Sequence, residues 1–139
     1  MQNTSLDMLM YYDAQVHASY GGLFDPVNKT VFKSYYAFKA FNELYVLGNQ
    51  IDCTAPNDNE IIALAAASED AKKGAVLLTN MSSEPKCISF NTACDAKEII
   101  CIGVDKDLNY TPVENFHVDS NNVTIKMAPN SFYLFKFEL

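Results

Sequence analysis

A chain of 139 residues can form one domain with a packed core, or one small domain plus a piece of another. Apolar residues make up 49% of it, which excludes global disorder. Ten basic side chains against 17 acidic ones give a net charge of −7 and a pI of about 4.6, which argues against a nucleic-acid or anionic-membrane partner.

The N-terminal MQNTSLDMLMYYD has no basic region, and its apolar run is too short and broken for a signal peptide. No stretch is apolar for long enough to predict a membrane span, so a cytoplasmic chain is expected. Leu6 to Tyr12 reads as a short buried strand ending at Asp13. Ala14 to Lys29 reads as irregular, with turn signals at Gly21-Gly22 and Asp25-Pro26.

A helix follows, from about Val31 to Leu47. Tyr36, Phe38, Ala40, Phe41, Leu44, Tyr45 and Leu47 recur at three- and four-residue steps, and Lys39, Asn42 and Glu43 gather on one narrow side. Gly48 can take the left-handed conformation that ends a helix. A helix this apolar must lie against something broad. The candidates are a sheet later in the chain, missing neighbours of the strand–loop–helix unit, or another chain.

After Gly48 helical periodicity stops and short β-type runs begin. They are Glu60–Ala67, Ala75–Asn80, Cys87–Asn91, Glu98–Gly103, Val113–Val118, Val123–Met127 and Ser131–Leu139. Turn residues separate them, among them Asp70 to Gly74, Ser82 to Pro85 and Asp105 to Asn109. Val123, Ile125 and Met127 alternate with polar neighbours, and Tyr133, Phe135, Phe137 and Leu139 make a second alternating face. Ile61 to Ala71 is rich in alanine, so propensity alone would allow a helix, but a strand is the expectation. The predicted fold is mainly β: an antiparallel β-sandwich of seven or eight strands over residues 49–139. Residues 1–48 form an N-terminal β–loop–α unit. Such a unit buries both faces of its strand only inside a larger parallel sheet or barrel.

Several segments together resemble the C-terminal end of (β/α)8-barrel retaining glycoside hydrolases of the β-xylosidase and α-arabinofuranosidase type. They are LMYYDAQ, GGLFD, YYAFKAFNELYVLG, VLLTN and the closing APNSFYLFKFEL. The resemblance covers almost the whole chain. It implies that residues 1–48 are the remnant of the last barrel unit and that the rest is the sandwich behind the barrel. In such enzymes two glutamates at the ends of the fourth and seventh barrel strands carry catalysis. Neither has a counterpart here, so no catalytic residue is assigned.

The remaining carboxylates do not replace them. Retaining hydrolysis needs two carboxyl groups about 5–5.5 Å apart. Asp7 and Asp13 are separated by six residues of predicted strand, roughly 20 Å. Asp58 with Glu60, and Glu69 with Asp70, read as turn charges. A residue at the carboxyl end of a barrel strand faces the active-site mouth. Tyr12, Asp13 and His17 are therefore candidate substrate-binding residues at a sugar subsite, the ring to stack and the polar groups to bond hydroxyls. His117, between Phe116 and Val118, reads as a strand-surface residue.

The cysteines Cys53, Cys87, Cys94 and Cys101 form no CxxC pair and have no histidine nearby in sequence, so they read as reduced and structural. No metal and no cofactor is expected. Gly21-Gly22 is a turn rather than a phosphate loop.

The expected role is the non-catalytic C-terminal region of a glycoside hydrolase, with the sandwich stabilising the barrel and the chain alone cleaving no glycoside. Three alternatives remain. One is a carbohydrate-binding module, with carbohydrate held on exposed aromatic rings. Another is an assembly domain whose Tyr35–Leu47 helix makes a homo-oligomer or recruits a separate barrel chain. The third is a complete enzyme of another kind, against which stands the lack of a catalytic pair.

Overall fold

In a computed structural model, residues 10–11, 22–55, 60–92 and 96–138 are described. A helix, α1 (Lys33–Tyr45), precedes nine strands. The strands are β1 (Asn49–Ile51), β2 (Ile61–Ala67), β3 (Lys73–Asn80), β4 (Lys86–Asn91), β5 (Glu98–Val104), β6 (Asn109–Pro112), β7 (Phe116–Asp119), β8 (Asn122–Met127) and β9 (Ser131–Glu138). Six of them form one sheet in the order β1-β2-β3-β9-β5-β6, and three form another in the order β4-β8-β7. All pairings are antiparallel, so the expected sandwich is present.

The small sheet covers one face of the large sheet, and α1 lies on the other. Period-two alternation sorts the side chains of β9 between these two cores. Tyr133, Phe135 and Phe137 enter the core between the sheets with Leu78, Cys101, Val123, Ile125 and Met127. Leu134 and Phe132 point the other way and join Ala40 and Leu44 of α1, with Ala66, Ala75 and Leu77 of the sheet. Phe135 is fully buried and meets Phe90 and Phe116 edge to face, with ring centroids at 5.0 and 5.6 Å.

Sequence periodicity locates most of these elements. The Ala-rich stretch is a strand: β2 pairs with β3 along its whole length, from Ile61↔Asn80 to Ala67↔Gly74. Ladder bonds and burial on both faces here outweigh alanine's helical propensity. Three features differ from expectation. β1 has no alternating pattern and is a three-residue edge beside Ala65–Ala67. The run expected at Val113–Val118 is strand only from Phe116, in β7, and a strand that was not expected, β6, precedes it at Asn109–Pro112. Pro112 has no N–H to donate, which suits the end of an edge strand. The helix is shorter than expected: Gly48, with φ +93°, turns the chain into β1. The strand expected at Leu6–Tyr12 falls almost wholly outside the described residues.

One buried polar group ties the two sheets together at a corner. The Asn80 side chain is fully buried at the end of β3. It donates to the carbonyls of Glu84 (2.9 Å) and Ala128 (2.8 Å), and its oxygen accepts from the Ser82 N–H (3.1 Å) and hydroxyl (2.8 Å). Asn80→Ala strands several of these groups without partners and is expected to cost about 2–3 kcal/mol in denaturant unfolding. Gly103 is close-packed in a different way: a Cβ there would lie 2.8 Å from both the Tyr133 ring and the Val113 side chain. Gly103→Ala should therefore destabilise by about 1–3 kcal/mol on the same measurement.

Candidate functional site

Helix α1 has two apolar faces. At 100° per residue, Tyr36, Ala40, Leu44 and Leu47 fall on one side and Phe38, Phe41 and Tyr45 on the opposite side. The first set faces the large sheet, where Ala40 and Leu44 are buried. The second set faces outward: Phe38 and Phe41 are each 38% exposed and Tyr45 is 75% exposed. Tyr11 touches this outer face, its ring 5.0 Å from that of Phe38 in an edge contact. A groove of about 680 Å³ continues the surface past the helix end, between Phe41, Tyr45 and Val46 on one side and Leu64 and Ala66 on the other. Exposed Ile62 on β2, on the same face as Leu64 and Ala66, extends the apolar character. Scattered exposed apolar residues are ordinary, but a helix with a second continuous stripe is not.

The polar residues of the helix hold it to the sheet. Glu43 accepts hydrogen bonds from the Tyr110 hydroxyl and from Lys136 Nζ at 3.0 Å. Partial burial by itself would raise the pKa of Glu43. The bonds from Tyr110 and Lys136 and the charges of Lys136 and Lys39 more than offset this and hold it below the usual carboxylate range. Tyr110 is pushed up by burial and by the same bond to Glu43. A second hydroxyl, of Tyr133, is pushed up to about 12 by burial and by its 3.0 Å bond to Asp105. Burial takes the Cys101 thiol to about 12 as well, so it behaves as an inert apolar group. Each of these shifts has a structural cause, and none lies beside a second carboxylate placed for acid–base work.

A cleft of about 770 Å³ opens between the two sheets, where β1 and β2 extend past β4. Its floor is Ala63, Ala65 and Val76, and Phe90 and Phe137 wall it. Asp52 supplies the one carboxylate among its described lining residues, which does not make a retaining pair.

Among the candidate residues, Tyr12, Asp13 and His17 lie outside the described residues, as do Asp7, Asp58 and Cys94. His117 is an exposed residue of β7, the strand-surface position expected of it. Glu69 and Asp70 occupy the β2–β3 turn, where Asp70 accepts from the Ser68 hydroxyl (2.7 Å) and the Lys72 N–H (3.1 Å). Glu60 pairs with Lys86. Among the described residues no group of three or more His, Cys, Asp or Glu side chains could hold a metal ion. No described helix is long and apolar enough to cross a membrane. The exposed aromatic rings of the described residues are Tyr11, Phe38, Phe41 and Tyr45, all at the helix, and none is on the sandwich. The pairing of Glu43 with Lys136 was not anticipated. Its signal is Lys136 itself, a charge within a strand whose neighbours are apolar on both faces.

No family model matches the chain, and no curated protein matches it in sequence. Solved structures do match in fold. A glycoside hydrolase family 30 subfamily 8 xylanase from Clostridium acetobutylicum superposes with a TM-score of 0.73 at 16% identity, covering 89% of this chain and 32% of the other. A family 30 endoxylanase from Clostridium papyrosolvens gives 0.69 at 18% identity, covering 81% and 29%. A family 44 endoglucanase from Clostridium thermocellum gives 0.53 at 18% identity, covering 64% and 19%. This chain thus spans about a third or less of each of these structures, and what it shares with them is the fold.

Proposed function

We propose that this chain is the C-terminal, non-catalytic region of a glycoside hydrolase acting on xylose- or arabinose-containing glycans. In this reading residues 1–48 are the last unit of a (β/α)8 barrel, and residues 49–139 are the sandwich that stiffens the barrel's flank. The observation that carries it is the double apolar face of α1. One face is closed by the large sheet, and the other presents Phe38, Phe41 and Tyr45 with Tyr11 already against it. A barrel helix covered by a flanking sandwich has this requirement, because it packs on barrel strands on one side and on the sandwich on the other. The resemblance of MYYDAQ and YYAFKAFNELY to the last barrel strand and helix supports the same assignment, as does the fold shared with family 30 and family 44 enzymes. Tyr12, Asp13 and His17 then border a sugar subsite of the assembled enzyme, and carbohydrate is bound there rather than on the sandwich.

Two measurements test this. The purified chain is expected to show no turnover of an aryl β-xyloside or aryl α-arabinofuranoside. Turnover that a single carboxylate substitution abolishes would overturn the reading. With the barrel absent, the outer face should also drive association of the isolated chain in sedimentation, weakened by joint substitution of Phe38, Phe41 and Tyr45 with serine. Tyr45 is largely exposed in the monomer, so Tyr45→Ser should alter unfolding free energy by no more than about 0.5 kcal/mol, whereas Phe38→Ser and Phe41→Ser, at more than half-covered rings, should each cost about 1 kcal/mol. A chain that stays monomeric at all concentrations and binds no apolar dye would remove the case for a covered face.

A further inference from the structure

The apolar contact between α1 and the sandwich is small. Ala40 and Leu44 are its buried helix side chains, and two of the sheet residues they meet are alanines, Ala66 and Ala75. The polar contacts are correspondingly concentrated, and apart from the Glu43–Lys136 pair with β9 they converge on one hairpin. Lys33, at the start of the helix, donates to the carbonyls of Asp105 and Lys106 in the β5–β6 turn. Further along, Tyr36 stacks on Tyr110 of β6 with ring centroids 5.4 Å apart and planes 11° from parallel. Lys39 Nζ lies 4.3 Å from the centre of the same ring. Glu43 accepts the Tyr110 hydroxyl hydrogen.

Tyr110 reaches the helix because of a backbone irregularity. Val104 pairs with Asn109 and Gly103 with Thr111, so Tyr110 is the extra residue of a β-bulge and has no partner across β5. Its φ is +59°, in the left-handed region that bulky side chains rarely adopt. Bulges re-aim side chains, and strain of this kind persists where the surroundings over-determine it. Here the surroundings are the helix.

We propose that the β5–β6 hairpin is a strap with Tyr110 as its latch, so that α1 docks on the sandwich as a detachable body rather than as part of one cooperative core. The sandwich core, centred on Phe135 and Ile125, contains no helix residue and does not depend on the docking. The proposal concerns two parts of this chain and holds whatever covers the outer face of the helix.

Hydrogen exchange on the full chain tests it, comparing wild type with Tyr110→Phe and Glu43→Gln. Tyr110→Phe keeps the ring stack and removes the hydroxyl alone; Glu43→Gln weakens the same bond from the helix side together with the ion pair to Lys136 of β9. In both, exchange of helix amides near Phe41 and Leu44 is expected to rise by roughly tenfold, while amides of β3 and β9 such as Leu77 and Phe135 keep their wild-type rates. Unchanged helix rates would overturn the latch. Equal acceleration of helix and β9 amides, or loss of the folded sandwich in both variants, would overturn the separability of the helix. Tyr110→Asn provides a further discrimination, because asparagine tolerates the left-handed backbone. It should loosen the helix while leaving the β5–β6 amides as protected as before. Loss of protection in the hairpin itself, with the helix unmoved, would show that Tyr110 serves the strand pairing instead.

Discussion

Strand β9 is the constraint on which the remaining structure rests. It pairs with β3 on one side and β5 on the other, joining the two halves of the large sheet. Tyr133, Phe135 and Phe137 supply the aromatic centre of the inter-sheet core, and Leu134 supplies the floor beneath α1. A strand buried on both faces must be apolar at nearly every position, and SFYLFKFE is, apart from its ends and Lys136. That lysine is tolerated because Glu43 meets it from the helix. One strand thus defines both cores and selects the acid that the helix must carry.

This arrangement explains which parts of the fold are legible in the residues. Val123, Ile125 and Met127 alternate with exposed or half-buried neighbours on β8, because the small sheet has one wet face. Its outer side carries polar cross-strand pairs such as Ser89 with Thr124 and Asn91 with Asn122. Such strands announce themselves. β1 does not, since Asn49–Ile51 is exposed throughout and owes its conformation to the β2 edge. β6 is hidden for another reason. Its bulge breaks the period of two at Tyr110, so that residue belongs to no alternating face and falls between the expected turn at Asp105 to Asn109 and the expected run at Val113. The candidate site was legible to a similar degree. The width of the helix's apolar surface is plain from residue spacing, but which half the sheet would take depends on the partner positions Ala66, Ala75 and Leu134.

The helix is the point at which fold and function meet. A sandwich by itself needs a helix with one apolar stripe, and the second stripe has no purpose within the described residues. An outward row of aromatic rings, continuous with a groove along β1 and β2, is the surface expected at a junction with another structural layer. The glycoside hydrolase structures that share this fold are about three or more times longer than the matched region. The proposed place on a barrel flank therefore draws on a surface requirement of this chain as well as on likeness of fold.

The central position of β9 also bears on how the chain reaches its native state. Every other described strand precedes it in sequence, yet the large sheet is two separate pieces until it is inserted: β1-β2-β3 and β5-β6. During synthesis the β2–β3 hairpin must wait, with the open edge of β3 and the apolar side chains of Val76 and Leu78 uncovered, for a partner more than fifty residues downstream. Such long-range closure is slow, and open edges are where nascent chains aggregate. Strand β9 acts as a keystone laid after the other described strands, so this domain is expected to depend on chaperones more than its small size suggests.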